Sequence, residues 1–186
     1  LLGAEILLTG GLLYDGFMDT ADGLFSGRGR ERMLEIMKDS RVGANGVLAA
    51  VCLLLLKWSL WSSLEPLWLS WLLLFSQFIS RIGLVGLICL FPYARPEGIG
   101  GLFSRQAKKS YLWLALAQGV VLALVVFPAT LVLAVFTWVT VYALAVRTSR
   151  QLGGLTGDVY GALTETGSVL FMLLAYGMQL AGWGCW

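Results

Sequence analysis

The chain has 186 residues, of which 58% are hydrophobic and 13% charged, with no histidine and a net charge of +2. Charged residues make up about a quarter of a soluble domain, so this composition excludes an ordinary water-soluble fold and points to lipid as the main solvent. So small and dispersed a net charge gives nucleic acid nothing to bind, and no long polar linker divides the chain, which reads as one membrane domain over 1–186. The chain opens on Leu1, so a preceding segment is expected.

Residues 1–14 read as the end of an apolar span. A charged stretch follows to Arg41, then an apolar run over 46–64 and another over 66–91, separated at Glu65-Pro66. Residues 110–146 carry no charge and exceed the roughly 20 residues that cross a bilayer as a helix, so they must fold back once. Phe127-Pro128 is the natural break, because proline lacks the backbone donor and disfavours helix in the residue before it, giving spans near 111–126 and 129–146. The uncharged stretch 166–186 closes the chain. Continuous apolar runs without period-two alternation exclude a membrane β-barrel, and the expected fold is an all-α bundle of about six spans. Cys52, Cys89 and Cys185 stand singly in apolar surroundings and read as packing residues.

Apart from Lys57 and Arg81, every basic residue falls within 28–41, 95–109 or 147–150, while the breaks near 65 and 127 carry none. The positive-inside rule puts the basic segments on the cytoplasmic side, and with them every aspartate of the chain and Glu31, Glu35, Glu97 and Glu165. Lys57, beside Trp58 and Trp61, reads as a snorkelling side chain. Arg81 lies deeper in its span. It either snorkels or faces the interior to meet an acid or an anionic substrate group.

The stretch Asp15-Gly-Phe-Met-Asp19-Thr-Ala-Asp22-Gly23 carries the strongest chemical signal. On a helix, offsets of four and seven place the three carboxylates within an arc of about 60°. Anions so close repel one another unless a hard cation such as Mg²⁺ neutralises them, and magnesium is held by one or two carboxylates with waters and phosphates completing its shell. Gly16 and Gly23 leave room for a phosphate or another helix at the backbone. A second charged helix is expected over 28–41, with ordinary i,i+4 pairing around Glu31 and Arg30. It ends in Lys38-Asp39-Ser40-Arg41, a mixture suited to gripping phosphate. Two glycine-bearing loops, 93–101 with Arg95 and 151–161 with Asp158, look like anion sites, although neither has the G-K-[ST] ending of a nucleotide-binding P-loop.

In TGGLLYDGFMDTADGLFSGRGRERMLEIMKDSRVGANG at 9–46, YARPEGIG at 93–100 and LGGLTGDVYGALTE at 152–165, the chain resembles the cobalamin synthase family, the adenosylcobinamide-GDP ribazoletransferases, with that family's N-terminal part absent. It departs from the family at Leu13, usually histidine, and at Ser168, usually an acid. The resemblance implies a multi-pass, Mg²⁺-dependent enzyme of the bacterial or archaeal cytoplasmic (inner) membrane that joins adenosylcobinamide-GDP to α-ribazole or its 5′-phosphate and releases GMP. A homo-oligomer or a biosynthetic complex would be compatible with it. Together with the residue chemistry it places metal on Asp15, Asp19 and Asp22, and catalytic roles on Asp22, Lys38 and Asp39, with either aspartate as base. Arg41, Arg81, Arg95, Asp158 and Glu165 are the expected substrate-binding residues.

Two other classes compete. A CDP-alcohol phosphotransferase would share the opening Asp19-Thr-Ala-Asp22-Gly23, but its following A-R is missing and Glu31 and Glu35 replace its later aspartates. A divalent-cation transporter would hold its acids near the bilayer midplane, whereas these crowd one face.

Overall fold

The computed structural model describes residues 1–95, 98–126 and 129–182. They form helices α1 (Leu2–Thr9), α2 (Leu12–Leu24), α3 (Arg30–Ile36), α4 (Ala44–Ser63), α5 (Pro66–Leu90), α6 (Ile99–Gln106), α7 (Lys109–Val126), α8 (Ala129–Leu152) and α9 (Gly157–Leu180). Among the described residues the only β pairing is an isolated parallel bridge between Tyr93 and Leu155.

The protein is a membrane helix bundle. Four helical stretches, Ala44–Ser63, Pro66–Leu90, Thr130–Leu152 and Gly157–Leu180, are long and apolar enough to cross a bilayer, and Lys109–Leu124 is a shorter apolar helix. Large apolar side chains such as Leu55, Trp58, Leu74, Trp113 and Phe136 remain exposed on the outside, a surface suited to acyl chains. The break at Pro66 is as expected: the proline occupies the first turn of α5, where its missing N–H costs no hydrogen bond. The second break, Phe127-Pro128, lies outside the described residues, as does Cys185.

Helix α9 is the axis of the bundle, mostly buried, and the other spanning helices α4, α5 and α8 pack around it. One apolar cluster joins α4, α5, α8 and α9 through Leu53, Leu60, Ile79, Leu133, Phe171 and Met172. A second, at the end of the bundle that carries the aspartates, joins Met37, Leu87, Ala145, Leu152 and Val159.

Three elements differ from expectation. Residues 1–14, expected as the end of one span, are not one continuous helix, because Gly10 and Gly11 take left-handed φ values of 61° and 71° and separate α1 from α2. The charged helix expected over 28–41 stops at Ile36. Past it, the Asp39 carboxylate accepts the Arg41 backbone N–H at 3.0 Å, an alternative to helical bonding that short acidic side chains commonly provide. Finally, α9 begins inside the glycine-rich stretch, capped by Thr156, whose hydroxyl accepts the Val159 N–H at 3.3 Å.

The 20-residue α4 is about 30 Å long, so residue 65 lies at the opposite end of the bundle from residue 40. In a background without native cysteines, Glu65→Cys and Ser40→Cys should react with a membrane-impermeant thiol reagent from opposite sides. Labelling of both from one side would overturn this topology.

Candidate active site

Asp15, Asp19 and Asp22 do share α2, but their surroundings differ. Asp15 is exposed, Asp19 is half-buried and Asp22 is buried. Gly16 brings α2 against the start of α9: a Cβ there would lie 2.9 Å from the Asp158 carbonyl oxygen, so only glycine admits this approach. Gly23 is likewise covered by Met37 and by the Met33 carbonyl, 3.2 Å from where its Cβ would stand. Both close approaches are by protein.

Asp22 has a structural task that its spacing did not reveal. Its carboxylate accepts the backbone N–H of Gly43 at 2.7 Å and of Gly46 at 2.8 Å. These amides open α4, whose own N-cap position, Gly43, has no side chain to offer. Neither Gly43 nor Gly46 has room for a Cβ against the Asp22 carboxylate. Asp22 therefore caps α4 from a neighbouring helix.

The two glycine-bearing loops come together. Ala94 donates its N–H to the Leu155 carbonyl at 2.8 Å, and Leu155 donates to the Pro92 carbonyl at 2.9 Å. Gly154 permits this, since a Cβ would lie 2.6 Å from the Pro92 oxygen. The pairing brings Arg95 Nη2 within 2.8 Å of Asp158 Oδ2, while the buried Arg95 Nε has no partner among the described residues. Arg30, read from sequence as ordinary surface pairing, lays its guanidinium over Gly153, which has a φ of 74°. Pro96 and Glu97 lie outside the described residues.

These placements create an excess of negative charge. The Asp19 carboxyl is pushed up to about 7, first by burial, then by Asp15 and Asp158; Arg95 opposes the shift and Asp22 adds to it. Among the described residues no three acids converge into a ready-made metal cluster. Magnesium requires only one or two carboxylates, however, and oxygen donors that one arginine incompletely balances suit it. Asp15 and Asp19 fit such an ion.

The Lys38-to-Arg41 segment stands at the edge. Lys38 is exposed, and Arg41 holds Asp39 in a two-point ion pair whose shortest distance is 2.7 Å. Arg41 thereby lowers the Asp39 carboxyl to about 2, which makes it a weak proton acceptor.

The model of the family described as cobalamin-5-phosphate synthase matches residues 1–176. The chain belongs to this family. It is 45% identical to the adenosylcobinamide-GDP ribazoletransferase of Desulfitobacterium hafniense (strain Y51) over 188 aligned residues, covering 95% of this chain and 72% of that protein. The enzymes of the same name from Acetivibrio thermocellus and Escherichia coli O45:K1 (strain S88 / ExPEC) are 40% and 39% identical, covering 95% and 90% of this chain and 72% and 70% of those proteins. No solved structure matches.

In this member of the synthase family, the deeper charges are organised differently from the sequence expectation. Lys57 does not snorkel; it is 1% exposed. Its ammonium donates to Glu165 Oε2 at 2.6 Å, to both Glu5 oxygens at 2.9 and 3.0 Å and to the Tyr14 hydroxyl at 3.0 Å. Glu165, expected to bind substrate, is thus engaged by Lys57 inside the bundle. Gln77 extends the group by donating to Glu5 Oε1 at 3.0 Å and to Ser168 Oγ at 3.1 Å. Arg81, one turn beyond Gln77 on α5, has a buried Nη1 with no partner among the described residues. Glu5, Tyr14 and Gln77 were missed because each looks unremarkable along the chain. The one available signal was Lys57 itself, a buried cation that required an acid.

Asp22→Ala should remove the α4 cap and lower stability by about 1–2 kcal/mol, read as a fall in thermal midpoint in detergent. Gly16→Ala should push α2 from α9 and cost about 1–3 kcal/mol. Unchanged midpoints would refute these contacts.

Proposed function

We propose that the chain joins adenosylcobinamide-GDP to α-ribazole or α-ribazole 5′-phosphate and releases GMP, as the names of its relatives describe, at the charged end of the bundle. The observation that carries this reading is the Arg95–Asp158 ion pair set within electrostatic reach of Asp15 and Asp19 where α2, α9 and the paired loops converge. A diphosphate requires cations, and a hydroxyl nucleophile requires carboxylates. Both are present in one layer.

In this scheme the ribazole 5′-hydroxyl oxygen attacks the phosphorus attached to cobinamide. The bond from that phosphorus to the bridging oxygen breaks, GMP departs with the oxygen, and the hydroxyl proton passes to a site carboxylate. Arg95, whose Nε has no partner among the described residues, is assigned to the diphosphate, with Lys38 and Arg41 as exposed cations at the rim. Asp158 orients Arg95 through their ion pair. Asp15 and Asp19 would hold Mg²⁺, with Asp22 behind them; the ion, when bound, offsets the charge that develops on the phosphates. Arg81 is assigned to a deeper anionic group of the substrate. The basic residues at this end support a cytoplasm-facing site, and the organisms of the relatives support the inner membrane of a bacterium or archaeon.

Purified protein given both substrates should release GMP, lose the activity in EDTA and regain it with Mg²⁺. Asp15→Asn and Asp19→Asn should each lower kcat/KM roughly a hundredfold or more, because several kcal/mol of charge stabilisation is at stake. Near-parental rates in both variants would remove the metal assignment, and absence of GMP from the parent would remove the activity.

A further inference from the structure

The proposed chemistry does not use the buried group around Lys57, although that group lies directly against the helices bearing the site acids. Tyr14 precedes Asp15 on α2, and Glu165 follows Asp158 by two turns on α9. At two points α2 and α9 meet through glycine. Gly16 lies on the Asp158 backbone, and Gly161 lies on Leu13, whose Cα would be 3.6 Å from a Cβ at 161. Glycine contacts allow close approach but provide few interlocking side chains to resist sliding or rotation. Among the described residues no side-chain hydrogen bond runs directly from α2 to α9; the polar connection between them passes through Lys57.

We propose that Lys57 is a positioning residue that fixes the axial register of α2 on α9, and so sets Asp15 and Asp19 against Asp158. Its ammonium has three protons and meets Tyr14, Glu165 and Glu5, so every direction of donation is occupied. Slippage of either helix by one residue is a displacement of about 1.5 Å, enough to carry a donor at 2.6–3.0 Å out of hydrogen-bond range. In the bilayer no water replaces a lost partner, and two carboxylates left without their cation penalise the displaced arrangement. The Tyr14 ring adds to the preference, with its centroid 4.8 Å from Nζ. Glu5 and Gln77 hold the group from α1 and α5, so the register is tied to the bundle as a whole.

The test separates register from activity. In a background with Cys52, Cys89 and Cys185 replaced by serine, Leu13→Cys and Gly161→Cys place two thiols across the α2–α9 contact within disulfide reach. Copper-phenanthroline oxidation in membranes should close this pair readily in the parent. It should do so severalfold more slowly in Lys57→Met, with partial recovery in Lys57→Arg, which keeps the charge. In the protein without the engineered thiols, Lys57→Met should also raise the half-saturating Mg²⁺ for GMP release about tenfold, as removal of outer support for metal ligands does. Tyr14→Phe deletes only the hydroxyl and covers the case in which Lys57→Met does not fold; it should shift both readouts in the same direction at an unchanged thermal midpoint. Closure at the parental rate in Lys57→Met, or in Tyr14→Phe if the first is not folded, overturns the proposal whatever the activity does. The Mg²⁺ measurement rests on the function proposed above: a parent that releases no GMP defeats that function, while the cross-linking rate still decides the role of Lys57.

Discussion

An ammonium ion in an apolar bundle must be met by anions, and in this protein meeting it brings the helices together. Lys57 projects from α4 into a space where Glu165 of α9, Glu5 of α1 and Tyr14 of α2 converge on one nitrogen. Exchange of a buried ion pair for apolar residues is often neutral or favourable, so the group is better understood as selecting an arrangement than as adding stability. An apolar α4 could rotate or slide among many packings of similar energy. The fully coordinated ammonium leaves one of these free of unpaired charge.

Glycine makes the arrangement sterically attainable. Lipid supplies no strong hydrophobic force between helices, so they adhere by close packing and polar contact, and both improve as backbones approach. Gly16 and Gly161 let α2 lie on α9, Gly43 and Gly46 let the Asp22 carboxylate reach the first amides of α4, and Gly154 lets two loops pair. The second and third of these approaches each bring a charged side chain to its partner. Through the last of them, Arg95 reaches Asp158 although a stretch of chain that includes α6, α7 and α8 lies between the two residues.

Much of this fold could be read along the chain. The apolar runs, the proline at 66 and the four- and seven-residue offsets of the aspartates are local patterns, and local patterns survive in one dimension. The same is true of the loops around Arg95 and Asp158 as separate segments. Their meeting was not legible, nor was the capping role of Asp22, whose partners lie 21 and 24 positions away. Lys57 illustrates the limit. Neighbouring tryptophans suggested an interfacial lysine, but its carboxylate partners lie 52 and 108 positions away, and they determine that it is buried. The glycines of 151–161 suggested an anion-binding loop, yet Gly157 and Gly161 belong to α9, where the close packing of α2 on Gly161 offsets that residue's conformational cost.

The charges consequently divide into two layers with different degrees of satisfaction. The deep layer around Lys57 is saturated, with donors and acceptors matched across α1, α2, α4, α5 and α9. The layer above it is unbalanced: Asp19 is reluctant to ionise among other acids, Arg95 Nε has no partner among the described residues, and Lys38 and Arg41 stand exposed at the rim. A saturated network has little affinity left for a ligand and a strong preference for one geometry. An unbalanced one has affinity to offer but cannot hold its own shape, because its acids repel. Placing the first beneath the second resolves the conflict, since rigidity enters from the membrane side while the capacity to bind charge remains where phosphates and cations can reach it.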